Sequence, residues 1–198
     1  MKKKGTVFGK AVGMVLAMTL ICGVLYTIVV TGVSQLFFSD KANGSVIEID
    51  GKKYGCELLA QEFTGEEYMW GRIMNVSAFT DQAGNTKMYS GPSNLSPESQ
   101  EYKELVEQRV EKIKEANPDA DKEQIPEDLV TCSGSGLDPD ISVAAAEYQV
   151  PRLAKANQMT EDEIQEIIDK CTNHKILGIF GEETVNVLKV NLMLEGIL

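Results

Sequence analysis

The stretch Asp128-Leu129-Val130-Thr131-Cys132-Ser133-Gly134-Ser135-Gly136-Leu137-Asp138-Pro139-Asp140-Ile141-Ser142 gathers the residue types that could do chemistry. An apolar, strand-like run that feeds a small-residue loop and then a helix would offer backbone amides to a phosphate at the positive end of that helix. No lysine follows the glycines as a phosphate loop requires, and their spacing is not that of a dinucleotide fingerprint. The other reading is a tight turn, in which the glycines take unusual dihedrals and Asp138, Asp140 or Ser142 caps the next helix. Cys132 would need a base or a cation to become a thiolate nucleophile. The sole histidine, His174, reads as an exposed residue near a helix end, without the clustered ligands of a zinc site. The carboxylates are spread along amphipathic or loop stretches, so no acid and base pair stands out. The residues themselves therefore assign no catalytic group and no metal ligand.

The element that positions everything else is N-terminal. Ala11 to Phe38 is a run of 28 residues without a charge, and as a helix at ~1.5 Å per residue it outruns the ~30 Å hydrocarbon slab. Lys2, Lys3, Lys4 and Lys10 precede it, whereas Asp40 and Lys41 follow. The positive-inside bias puts residues 1–10 in the cytoplasm as a basic tail, 11–38 in the membrane as an anchor, and 39–198 outside. The apolar core is too long for a cleaved signal peptide, and Ile21 before Cys22 does not suit lipoprotein processing. Gly9, Gly13 and Ala17, then Gly23, Thr27 and Thr31, form two small-residue stripes at four-residue spacing where another membrane helix could pack.

The rest of the chain holds 15 basic residues against all 30 acidic ones, a net charge of −15 that repels nucleic acid and anionic lipid. Three of the four cysteines, Cys56, Cys132 and Cys171, lie beyond the anchor, so at least one stays unpaired in a monomer. Asp50-Gly51 between Val46-Ile47-Glu48-Ile49 and Lys52-Lys53-Tyr54 predicts a short hairpin. Leu58, Leu59, Phe63, Tyr68, Met69, Trp70 and Ile73 are expected to feed a core near Gly71-Arg72, and Asp81 to Pro92 reads as loop. A helix capped by Ser96, with Pro97 at its first position, should run to Ala116. Pro151 should divide two short helices. Thr160 and Glu163 form a capping box, and Thr184 to Leu194 fits a helix better than a strand. The fold class is a single N-terminal transmembrane helix plus one α+β extracytoplasmic domain.

Leu129-Val130-Thr131-Cys132 resembles the Thr-Cys of sortases, membrane-anchored extracellular transpeptidases, but there the histidine comes first and here His174 follows Cys132. A broader likeness covers the anchor and nearly the whole domain. Tyr54-Gly55, Gln61-Glu62-Phe63, Gly71-Arg72, Gly91-Pro92-Ser93-Asn94-Leu95, Pro126-Glu127-Asp128-Leu129-Val130-Thr131, Ser133-Gly134-Ser135-Gly136-Leu137-Asp138-Pro139, Ile141-Ser142, Gln149-Val150, Arg152, Gly181-Glu182 and Val185-Asn186-Val187-Leu188 occur in order. In these motifs the chain resembles the C subunit of the Kdp potassium-transporting ATPase, a P-type pump of bacteria and archaea. Cys56, Ile73-Met74-Asn75, Cys132 and Asp140 depart from that pattern, which has Ser, Pro-Ser-Ala, a small residue and His there.

The resemblance implies a non-catalytic subunit in the cell membrane, working with a channel-like A subunit, an ATP-hydrolysing B subunit and a small F subunit in potassium transport. It implies a role in assembly and stability and in raising the B subunit's affinity for ATP, with Ser133, Gly134, Ser135, Gly136 and Gln149 as nucleotide-binding residues. ATP would then be met through the B subunit rather than as a cofactor of this chain. The lysines before the anchor place that loop on the side of the membrane away from cytoplasmic ATP.

Overall fold

The computed structural model describes residues 4–120 and 124–198, so the expected tail residues Lys2 and Lys3 lie outside the described residues. Two compact units are present, one ending at Val46 and the other spanning Ile47–Leu198. In the first, α1 (Lys4–Met18) passes through a π-helical turn (Thr19–Leu25) into α2 (Tyr26–Phe37), and a short α3 (Ser39–Ala42) follows. Val7–Phe37, 31 residues with a mean hydropathy of 2.3 and none of the window buried, is long and apolar enough to cross a membrane. The π turn follows the first small-residue stripe and contains Gly23, the first residue of the second. All six stripe residues are exposed, and a methyl added at Gly9 or Gly13 would meet nothing within 4 Å.

The expected hairpin follows, β1 (Val46–Ile49) and β2 (Lys52–Cys56), all but Val46 of it in the second unit. Asp50 and Gly51 both take positive φ, 52° and 77°, the geometry a two-residue turn between right-twisted strands needs. The expected loop after Asp81 is instead largely a second hairpin, in which β3 (Val76–Thr80) pairs antiparallel with β4 (Thr86–Ser90). These strands are exposed along almost their whole length, so they carry no apolar alternation to read. Asp81 closes their turn by accepting from the amides of Ala83 and Asn85, each at 2.9 Å.

Helix α4 (Gln100–Ala116) begins one turn later than expected. Ser96 and Pro97 form a separate turn closed by the Ser99 amide on the Ser96 carbonyl, and Ser99 becomes the cap, accepting from the Tyr102 amide at 3.2 Å. The apolar run before the glycine loop is a 3₁₀ turn (Glu127–Leu129) rather than a strand, and the loop leads into strand β5 (Asp140–Ser142), not a helix. Ser142 caps α5 (Val143–Glu147) by accepting from Ala145 at 3.1 Å. Pro151 sits in the first turn of α6 (Val150–Asn157), and the Thr160/Glu163 capping box starts α7 (Glu161–Lys170).

The strands β6 (Thr172–Asn173) and β7 (Thr184–Asn186) complete an antiparallel sheet of order β5-β7-β6, with Ile141 opposite Val185. The Thr184–Leu194 run divides into β7 and α8 (Val187–Leu194), strand and helix in succession. Ile141, Leu153, Ile164, Ile168, Val185 and Val190 are buried around this sheet, joined by Met69 and Leu129 from outside it. Leu58 and Leu59, expected in the core, are 58% and 49% exposed.

Candidate functional site

Between Cys56 and Val76 the chain has almost no regular structure, so its backbone must find partners elsewhere. Side chains from the helices supply them. Gln149, at the start of α6 and fully buried, accepts from the Trp70 amide at 2.8 Å and donates to the Trp70 carbonyl at 3.0 Å and the Ala145 carbonyl at 3.1 Å. Asn191 of α8 makes the same two-sided pairing with Met69, at 2.7 and 3.0 Å. Two successive residues thus form sheet-like bonds with amide side chains in place of a strand.

Arg152 extends the cluster. Its guanidinium donates to Gln149 at 2.7 Å, to Asn117 at 3.1 Å, to the Tyr68 carbonyl at 2.9 Å and to the Glu66 carbonyl, and stacks on Trp70 with Cζ 4.7 Å from the ring centroid. Burial pulls Arg152 down to about 10 against the opposing pull of Glu66 and Glu67, which leaves it charged at neutral pH. A buried cation is tolerated here because every nitrogen of the fork has an acceptor.

The glycine loop is a second junction. Ser133 Oγ accepts from the Gly136 amide at 3.1 Å and Ser135 Oγ from the Leu137 amide at 3.2 Å, so both hydroxyls turn back on their own loop. The Gly136 carbonyl accepts from Asn75, the Leu137 carbonyl from Ala60, and Cys132 bridges Ile73. Gly136 has φ +69°, and a Cβ there would stand 2.5 Å from the Gly91 carbonyl oxygen. The four loop residues share one turn, while Gln149 bonds to a different set of partners in the core. The fit of Gly136 against Gly91 was not visible in the spacing that suggested a phosphate loop.

Asp128 ties this loop to the sheet by accepting from the Ser142 amide at 2.6 Å. Burial raises its pKa, but the Ser142 hydrogen bonds, with the charge of Arg72, outweigh this and hold it below the usual carboxylate range. Asp140, one of the departures from the resembled pattern, accepts from Asn186 at 2.8 Å and Thr184 at 3.3 Å. Asn186 also caps α8 through the Lys189 amide.

His174 is exposed and faces Glu183 at 3.1 Å, and no hydrogen bond joins it to Cys132 among the described residues. The thiol of Cys171 is pushed up to about 11, chiefly by burial, and is a packing group rather than a nucleophile. No disulfide joins any two of the four cysteines, and no three metal-ligating residues gather among the described residues. Sequence reasoning missed Asn117, Asn186 and Asn191 as organisers. For Asn186 and Asn191 the available signal was a pair of amides in the run Val185 to Leu194, whose remaining residues are apolar but for Lys189.

The fold thus defines a class of architecture, one helix long and apolar enough to cross a membrane joined to a mixed helix and sheet domain whose buried polar side chains hold its own backbone. Residues 8–196 match the family model of the KdpC family, described as K+-transporting ATPase, c chain, and the chain belongs to that family. It is 56% identical over 200 residues to the potassium-transporting ATPase KdpC subunit of Clostridium botulinum (strain Alaska E43 / Type E3), covering 100% of both chains. With the subunit of that name from Clostridium perfringens the identity is 57% over 191 residues, 96% of each chain. With that of Clostridioides difficile it is 43% over 194 residues, 92% of this chain and 93% of the relative. The protein is an accessory subunit of a P-type potassium pump, not its catalytic one.

Proposed function

We propose that this subunit works from outside the cytoplasm as an assembly and stability factor for the potassium pump, engaging the A, B and F subunits. Its anchor would pack by the stripes Gly9/Gly13/Ala17 and Gly23/Thr27/Thr31, and the domain would sit over the channel-like A subunit. The observation that carries the orientation is the charge asymmetry of the anchor, with Lys2, Lys3, Lys4 and Lys10 on one side and a balanced Asp40-Lys41 pair on the other. In this arrangement Ser133, Gly134, Ser135, Gly136 and Gln149 act by holding the fold, and any effect on the B subunit's affinity for ATP passes through the assembly. The saturated hydrogen bonding of Gln149 supports this over direct contact with nucleotide.

Ser135 is exposed and suits a labelling test. With the four native cysteines replaced, Ser135→Cys should react with a membrane-impermeant thiol reagent in intact cells. Labelling that appears only after lysis would reverse the orientation and restore cytoplasmic nucleotide contact. Co-purification with two larger membrane subunits should survive Cys132→Ala, whereas a sortase-like enzyme would act alone and lose activity with that change.

A further inference from the structure

Beside the Gln149 cluster, the segment from Gln61 to Met74 and helix α4 enclose a cleft of about 160 Å³. That is close to the ~150 Å³ that accepts a benzene ring in a protein core. Phe63, Trp70 and Ile73 are among its apolar walls. Arg72, Arg109 and Lys112 also line it, against one acid, Glu62. Three cations on one small apolar cleft run against the charge of a domain with twice as many acidic as basic residues.

Two of these cations, Arg109 and Lys112, have no ion-pair partner among the described residues. Lys112 has no carboxylate partner among the described residues, and its ammonium lies 5.1 Å from the centre of the Trp70 ring. Arg72 is paired with Asp138 at 3.5 Å and lies near Asp128, but its Nε is buried with no acceptor. An unsatisfied buried donor costs about 1–3 kcal/mol, which an anion that draws the guanidinium round would relieve. Arg109 is held in place by donating to the Val130 carbonyl at 3.0 Å, and its other donors have no partner among the described residues. None of Ser133, Gly134, Ser135, Gly136 or Gln149 lines the cleft.

We propose that this cleft is a binding site for a small organic anion: one carboxylate or phosphate group on an apolar body about the size of an aromatic ring. The body stacks against Trp70 and Phe63, and the charged group is met by Arg72, Arg109 and Lys112. This is independent of the side of the membrane on which the domain lies.

Trp70 is the chain's single tryptophan and reports directly on the cleft. The full-length protein in detergent is titrated with phenylphosphate, benzoate, benzyl alcohol and inorganic phosphate while Trp70 fluorescence is followed. One or both aromatic anions should give a saturable change, and the tighter of the two distinguishes phosphate from carboxylate. Benzyl alcohol, lacking the charge, and inorganic phosphate, lacking the body, should bind at least about tenfold more weakly. Lys112→Gln removes an exposed ammonium whose one contact among the described residues is with the Trp70 ring, and should weaken the anion about tenfold with a nearly unchanged thermal midpoint. Arg72→Gln gives a second reading on a different segment. No saturation by either aromatic anion up to about 10 mM overturns the proposal. So does benzyl alcohol binding as tightly as the anions, or an affinity that neither substitution alters.

Discussion

Replacing Gln149 separates a fold-organising amide from a nucleotide ligand. Gln149→Ala strands the Trp70 amide, the Trp70 carbonyl and one nitrogen of the Arg152 fork, held at 2.8, 3.0 and 2.7 Å. Each buried polar group left unpaired costs about 1–3 kcal/mol, and water entering the vacated space recovers part of it, so the net loss is about 3–5 kcal/mol. Against a total stability of about 5–15 kcal/mol that is a large fraction. For an m-value of about 2 kcal/mol/M the urea midpoint falls by about 2 M. Trp70 is both the partner of Gln149 and the chain's single tryptophan, so its fluorescence follows unfolding of the full-length protein at the perturbed spot. Gln149→Met, similar in volume but without the amide, should lose nearly as much as Gln149→Ala and so separates hydrogen bonding from cavity formation. The reasoning is refuted if Gln149→Ala leaves the midpoint within about 0.5 M while weakening the assembled pump's dependence on ATP.

Gly136→Ala should lower the thermal midpoint by several degrees, since the added methyl combines a left-handed φ of +69° with a backbone oxygen 2.5 Å away that cannot swing aside. Gly134→Ala, with nothing within 4 Å of the added methyl, should leave the midpoint nearly unchanged, and equal effects would discard the packing account. Asp128 has a folded pKa below its unfolded value, so its contribution is present above the unfolded value of about 3.9 and is lost as pH falls through the folded one. Stability measured from about pH 6 to pH 2 should show the advantage of the native protein over Asp128→Asn shrinking below about pH 4; a constant gap would contradict the Ser142 hydrogen bond as its cause.

Elements that satisfy themselves locally were legible in the sequence. The Thr160 capping box needs only residues three apart, the Asp50-Gly51 turn only two, and the helix break at Pro151 a single missing amide proton. Elements whose reasons are distant were not. The β3/β4 hairpin has no buried face to print a pattern. Ser96 looked like a cap because Pro97 follows it, yet Ser99 outcompetes it once Ser96 has closed its own turn. The glycine loop carried the right residue types for an anion site, but the reason for Gly136 is Gly91 in another segment, 45 residues away in sequence by their numbers.

These distant reasons share one physical origin. A segment of about twenty residues from Cys56 to Val76 enters the domain without a strand or helix of its own, and buried backbone groups there require bonds in the interior. Gln149 and Asn191 give Trp70 and Met69 the two bonds that a neighbouring strand would give, and Arg152 collects the carbonyls of Glu66 and Tyr68. Long amides and a guanidinium can do this from a helix because each offers several donors or acceptors at the end of a reach that a backbone lacks. A residue with that duty has few groups left for a ligand. Gln149 therefore looks like a recognition residue in the sequence for the same chemical reason that it serves as a structural one: its amide reads both a donor and an acceptor, and here the molecule it reads is the chain's own backbone.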